Sequence, residues 1–68
     1  MKIVYSNHAL KRMKQRGFTS LEIEFILKHP DYVKKVDEKR EVVGHLKGRM
    51  IKIVFTLKDT YLNIITII

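Results

Sequence analysis

Arg49-Met50-Ile51-Lys52-Ile53-Val54-Phe55-Thr56-Leu57 alternates along its whole length. Ile51, Ile53, Phe55 and Leu57 fall on one side, and Met50, Lys52, Val54 and Thr56 on the other. A period of two over nine residues is the mark of a half-buried β-strand. Its flanks extend the reading. Lys47-Gly48 turns the chain back onto a strand at Arg40–Leu46, and Lys58-Asp59-Thr60 leads into another at Tyr61–Ile68. Upstream, the charged turn Asp37-Glu38-Lys39 joins a strand at Tyr32–Val36. Turns this short connect antiparallel neighbours. The last strand carries Leu62, Ile64, Ile65, Ile67 and Ile68, apolar on both faces. Such a strand is usually central or covered on both sides, so a homodimer through this C-terminal strand is one expected arrangement.

Before Pro30 the period changes to that of helices. Thr19-Ser20-Leu21-Glu22 is a capping box, and a helix is expected from about Ser20 to His29, where Pro30 stops it. Leu21, Ile23, Phe25, Ile26 and Leu27 span more than one stripe. That width predicts a helix gripped between another helix and the sheet. An earlier helix is expected from His8 to Arg16, with Ser6 or Asn7 as N-cap and Gly17 as the left-handed terminator. At about 100° per residue, Ala9, Leu10 and Met13 form its apolar stripe. His8, Arg12 and Gln15 lie nearly opposite, and Arg16 lies at the border. Lys2–Tyr5 is long enough for a short edge strand. The expected fold class is α+β: two N-terminal helices on a four-stranded antiparallel sheet, with that N-terminal strand as an optional addition.

Sixty-eight residues make one domain, residues 1–68, with room for only a modest core. The absence of cysteine removes disulfides, thiolate metal sites and a cysteine nucleophile. It fits a cytoplasmic protein. Lys2 is followed by no long apolar run, so neither a signal peptide nor a membrane span is expected. The formal charge is +7, from 14 Lys and Arg against 7 Asp and Glu. The first acid is Glu22, so Lys2, Lys11, Arg12, Lys14 and Arg16 precede any neutralising carboxylate. That placement points to a polyanionic partner, RNA foremost.

No P-loop, G-x-S-x-G or H-E-x-x-H motif is present. His8, His29 and His45 fall on different elements, and Asp37, Glu38 and Glu41 sit in or beside a charged turn. Neither set suits a metal or an acid pair, and no cofactor is expected. The basic residues suit a different chemistry. RNA carries its own nucleophile, the 2′-OH, so cleavage needs only a base, an acid and cations on the phosphate. At a helix N-terminus the dipole disfavours an imidazolium and so favours a proton-accepting ring. The candidate catalytic residues are therefore His8, Arg12 and Arg49. Lys11, Arg12, Arg16, Arg40 and Arg49 are the candidates for nucleic-acid binding. A plainer reading stands beside this one: His8 is a local hydrogen-bonding residue, and the arginines form a solvated face or pair with Glu22 and Glu24. Tyr5, Tyr32 and Tyr61 suit base stacking or sheet-edge packing equally well.

The run from His8 to Gly17, with Thr19 and Glu22 beyond it, has the order H-A-x-x-R-M-x-x-R-G. It resembles the opening of a family of small bacterial and archaeal domains of unknown function. Arg40-Glu41-Val42-Val43-Gly44, Gly48-Arg49, Ile53-Val54-Phe55-Thr56 and Ile64-Ile65-Thr66 resemble the sheet of BrnT, a ribonuclease of type II toxin–antitoxin systems. Both look like members of the RelE/ParE-like toxin superfamily. The resemblance implies a metal-independent ribonuclease held by a cognate antitoxin, with His8, Arg12, Arg16, Arg40 and Arg49 at the matching positions. BrnT-like chains continue past the last strand with basic residues, whereas this sequence stops at Ile68, which implies catalytic power that is reduced or lost. Two rival functions are a non-catalytic nucleic-acid-binding module and a protein-interaction module.

Overall fold

The computed structural model describes residues 2–68. In chain order they form β1 (Lys2–Tyr5), α1 (Asn7–Arg16), α2 (Ser20–Lys28), β2 (Tyr32–Val36), β3 (Lys39–Leu46), β4 (Arg49–Leu57) and β5 (Tyr61–Ile67). The strands make one sheet in the order β1-β5-β4-β3-β2. The expected antiparallel meander is present as β2 to β5. The sheet is nevertheless five-stranded and mixed, not four-stranded and antiparallel, because β1 pairs with β5 in parallel. Lys2–Tyr5 thus occupies the edge beside the last strand, and β5 has neighbours on both sides.

The turns follow their residues. Lys47 and Gly48 both take positive φ, 53° and 77°, as a two-residue hairpin turn of the primed type requires. Asp37 has φ of 56° at the other tight turn, a conformation aspartate tolerates better than most residues. Lys39 is the first residue of β3, not part of that turn.

The β4–β5 ladder holds a β-bulge. Val54 pairs with Thr66 and Phe55 with Ile64, so Ile65 is an extra residue. The bulge changes which side chains point inward. Leu62 and Ile64 point to the helix side, and so does Ile67, whereas Thr66 points out. This accounts for the two-sided apolar pattern of the strand: Ile64 and Ile67 are fully buried, and Ile68 is half exposed.

α1 and α2 lie on the same face of the sheet, α1 against β5 and β1, α2 against β3. Ser6 is the N-cap of α1, and its Oγ accepts the Ala9 N–H at 3.0 Å. The same hydroxyl donates to the Ile65 carbonyl at 2.6 Å, so one side chain caps the helix and satisfies the bulge. Gly17, at φ of 73°, ends α1 in the left-handed conformation. The α2 capping box forms as expected: the Glu22 N–H donates to Thr19 Oγ1, and the Thr19 N–H donates to Glu22 Oε1.

Ala9 and Met13 of α1 and Ile23 and Ile26 of α2 close over Val42, Ile51, Ile53, Phe55, Ile64 and Ile67. No polar or charged residue is buried among the described residues. β3 and α2 approach closely at Gly44, where a Cβ would lie 2.7 Å from Ile26 Cγ2. The expectation that α2 is gripped from both sides is corrected here. Leu21 is 77% exposed and Phe25 49%, so α2 has the sheet on one side and solvent on the other. No helix among the described residues is long and apolar enough to cross a membrane.

Candidate nucleic-acid interface

Ala9 and Met13 anchor α1 to the sheet, and 3.6-residue periodicity then fixes what the helix shows. His8, Lys11, Arg12 and Gln15 line one shallow concavity of about 250 Å³ on its outer side. No carboxylate lines it. Among the described residues no hydrogen bond orients the His8 ring. This surface can hold a phosphate through Lys11 and Arg12, with His8 and Gln15 beside it as further hydrogen-bonding groups.

The other sequence candidates stand elsewhere. Arg16, the last residue of α1, borders the uncovered face of the sheet. There it lines a second concavity, about 410 Å³, with Tyr32, Val43, Met50, Lys52 and Ile68. The Arg49 guanidinium lies 5.1 Å from the centre of the Phe18 ring, a cation–π contact with the loop between the helices. Arg40 pairs across the sheet with Phe55 and Lys35, half-buried, near the start of β3. Of the three proposed catalytic residues, His8 and Arg12 share a concavity, and that concavity does not include Arg49. Arg49 belongs to the start of β4 and is held by Phe18.

Charge pairing sharpens this distribution. The ion pairs are Lys47 with Glu22 at 3.1 Å, Lys52 with Glu41 at 3.4 Å, and His45 with Asp31. Among the described residues none of the four arginines has a carboxylate within ion-pair distance, so they do not pair with Glu22 or Glu24. Glu22 is instead taken by the backbone and hydroxyl of Thr19 and by Lys47. The backbone hydrogen bond and Lys47 hold its carboxyl below the usual range. Tyr5 packs toward the core, and burial pushes its phenol up, with the charge of Glu24 as a lesser cause. Among the described residues its hydroxyl oxygen is buried without a partner, so Tyr5 is placed to pack and not to stack on a base.

The sequence reading did not pair His45 with Asp31. The Asp31 carboxylate contacts His45 Nδ1. The two residues are 14 apart, and the pair exists because the Asp31 N–H donates to the Val43 carbonyl as β2 opens against β3. The signal available in the sequence was register. Pairing Tyr32–Val36 with Lys39–Val43 through a two-residue turn puts residue 31 beside residues 44 and 45.

Residues 5–68 match the family described as Domain of unknown function (DUF4258). No curated protein and no solved structure matches the chain at a significant level.

Proposed function

We propose that this chain, which belongs to the DUF4258 family, binds RNA through α1 and cleaves it without a metal, in the manner of a type II toxin. One observation carries the reading: among the described residues every arginine is free of carboxylates, and α1 gathers His8, Lys11, Arg12 and Gln15 around a concavity with no acid in it. Guanidinium groups left unpaired on a +7 domain suit phosphate oxygens, which they engage through two parallel hydrogen bonds. The 2′-OH of RNA supplies the nucleophile. His8 is the first candidate for proton transfer because it lies beside Arg12. Arg16, Arg40 and Arg49 would extend the phosphate contacts beyond the helix.

The resemblance to BrnT and the RelE/ParE-like proteins supports a cognate antitoxin as partner and the cytoplasm as the place of action. A homodimer through β5 would use its open face, because β1 and β4 occupy both of its edges. A second reading, a nucleic-acid-binding module without catalysis, is favoured by the absence of any group that orients His8.

The test is incubation of the purified chain with single-stranded RNA in EDTA, with binding measured in parallel across a salt series. Wild-type protein is expected to bind, with log affinity falling linearly against log salt, and to cut. Arg12→Ala should lower affinity and reduce the salt slope by about one. Binding without cutting leaves the second reading. Absence of both ends the RNA proposal.

A further inference from the structure

The uncovered face of the sheet carries a second set of groups suited to RNA. His45 lies on it, two residues along β3 from Val43 and directly opposite Met50 of β4. That spacing along a strand is about 7 Å. Val43 and Met50 line the concavity that also holds Arg16, Tyr32 and Lys52. His45 is therefore at its rim.

The histidine is oriented. Nδ1 lies against the Asp31 carboxylate; a carboxylate only accepts, so in the neutral ring Nδ1 carries the proton and Nε2 is the proton-accepting nitrogen. Among the described residues His8 has no equivalent partner. The surroundings supply the rest of a nucleotide site. Arg16 brings an unpaired guanidinium. Lys52 is tied to Glu41 at 3.4 Å, which leaves N–H donors of its ammonium available. Tyr32 is 57% exposed and offers a ring face for a base. Val43, although on the open face, is only 3% exposed, and with Met50 and Ile68 it supplies the aliphatic and thioether part of the lining. Arg16 also links the two surfaces, because it leaves the end of α1 and arrives on the sheet.

We infer that the His45–Asp31 pair beside the Arg16, Tyr32 and Lys52 concavity is the site of RNA cleavage, with α1 holding the strand that leads into it. The inference rests on RNA being the substrate, as proposed above, and moves the proton acceptor from the helix to the sheet. In the step, His45 Nε2 takes the proton of the 2′-OH. The 2′-oxygen electron pair forms the bond to phosphorus, and the bond from phosphorus to the 5′-oxygen breaks. The departing 5′-oxygen takes a proton from water, which leaves a 2′,3′-cyclic phosphate and a 5′-hydroxyl. Arg16 faces the charge that builds on the phosphate oxygens. Asp31 is a positioning residue.

The experiment uses the full chain, a 5′-labelled single-stranded RNA and EDTA, with cleavage measured at saturating protein and binding measured separately. The same oligonucleotide with 2′-deoxyribose is the control substrate. His45→Ala is expected to lower the rate of the bound complex by about 100-fold or more. Asp31→Asn should lower it by about tenfold, through loss of the fixed tautomer. His29→Ala, at the end of α2, is the histidine control and should leave the rate unchanged. His8→Ala is expected to weaken binding. His45 is 58% exposed in its side chain, so these variants should fold, and circular dichroism checks that they do. A rate of the bound complex that falls with His8→Ala and not with His45→Ala overturns this site while leaving RNA cleavage by the domain intact. Cutting of the deoxyribose control overturns the 2′-OH step. Wild-type protein that binds RNA and never cuts it overturns the site and leaves RNA binding standing.

Discussion

The two faces of the sheet have been put to different use. The face under the helices presents Ile51, Ile53, Phe55, Ile64 and Ile67, all buried, and a glycine where α2 comes closest. The open face presents Tyr32, Lys34, Glu41, His45, Met50, Lys52 and Thr66. One face is nearly all aliphatic and the other mixes charge, aromatic rings and thioether. Alternation along a single strand produces both, since β4 contributes Ile51, Ile53 and Phe55 to one and Met50, Lys52 and Val54 to the other. In so small a domain the helices cover only one face. Stability is concentrated there, and the other face is free to vary its chemistry.

The sharpest check is a pair of adjacent substitutions in β4. Ile53→Ala, at a fully buried position, should cost about 2–5 kcal/mol in urea unfolding. Val54→Ala, one residue on and pointing the other way, should cost less than about 1 kcal/mol. Equal losses would mean that the open face is as tightly covered as the helix face.

Gly44→Ala tests the closeness of the covered face. A methyl group there meets Ile26 Cγ2 at 2.7 Å, and the strain should destabilise the domain by about 1–3 kcal/mol. Ile26→Ala removes the clashing atom. The double variant should therefore be more stable than the sum of the two singles predicts, by a coupling measurable in a double-mutant cycle.

Tyr5 is the exception to the apolar rule on the helix side, since its hydroxyl is buried with no partner. Tyr5→Phe should stabilise the domain by up to about 1 kcal/mol, the reverse of the usual sign for deleting a polar group. A loss on thermal unfolding would show that the hydroxyl is satisfied in solution.

The smallest expected effect belongs to neither face. Glu22 joins the start of α2 to the β3–β4 turn, and its carboxyl is held below the ordinary range by the Thr19 backbone and Lys47. A depressed folded-state value means that its contribution is complete above the unfolded pKa. It is lost as pH falls through the depressed folded-state value. The stability gap between wild type and Glu22→Gln should therefore narrow on acidification, and a gap that widened would contradict the assigned direction.

Much of this was legible because it is local. The alternation of Arg49–Leu57, the Lys47-Gly48 turn and the Thr19–Glu22 box each depend on neighbours within a few residues, and each formed as expected. Three features depend on pairing across the chain. The bulge at Ile65 reverses the parity of β5 after Ile64, which no period of two reveals. The partner of β1 is the last strand, nearly sixty residues away. The Asp31–His45 contact appears only once β2 and β3 are in register. The basic face of α1 was readable from helical spacing, and the second set of groups, on the sheet, was not.

The Ser6 hydroxyl and the Ile65 carbonyl are 59 positions apart. On a ribosome, β1 and the start of α1 emerge well before β5, the strand they dock on. The hairpin of β3 and β4 can close early because its loop is short, whereas joining β1 to β5 pays the entropy of closing a loop of nearly sixty residues. The most basic segment of the domain thus leaves the exit tunnel well before the strand that fixes its place.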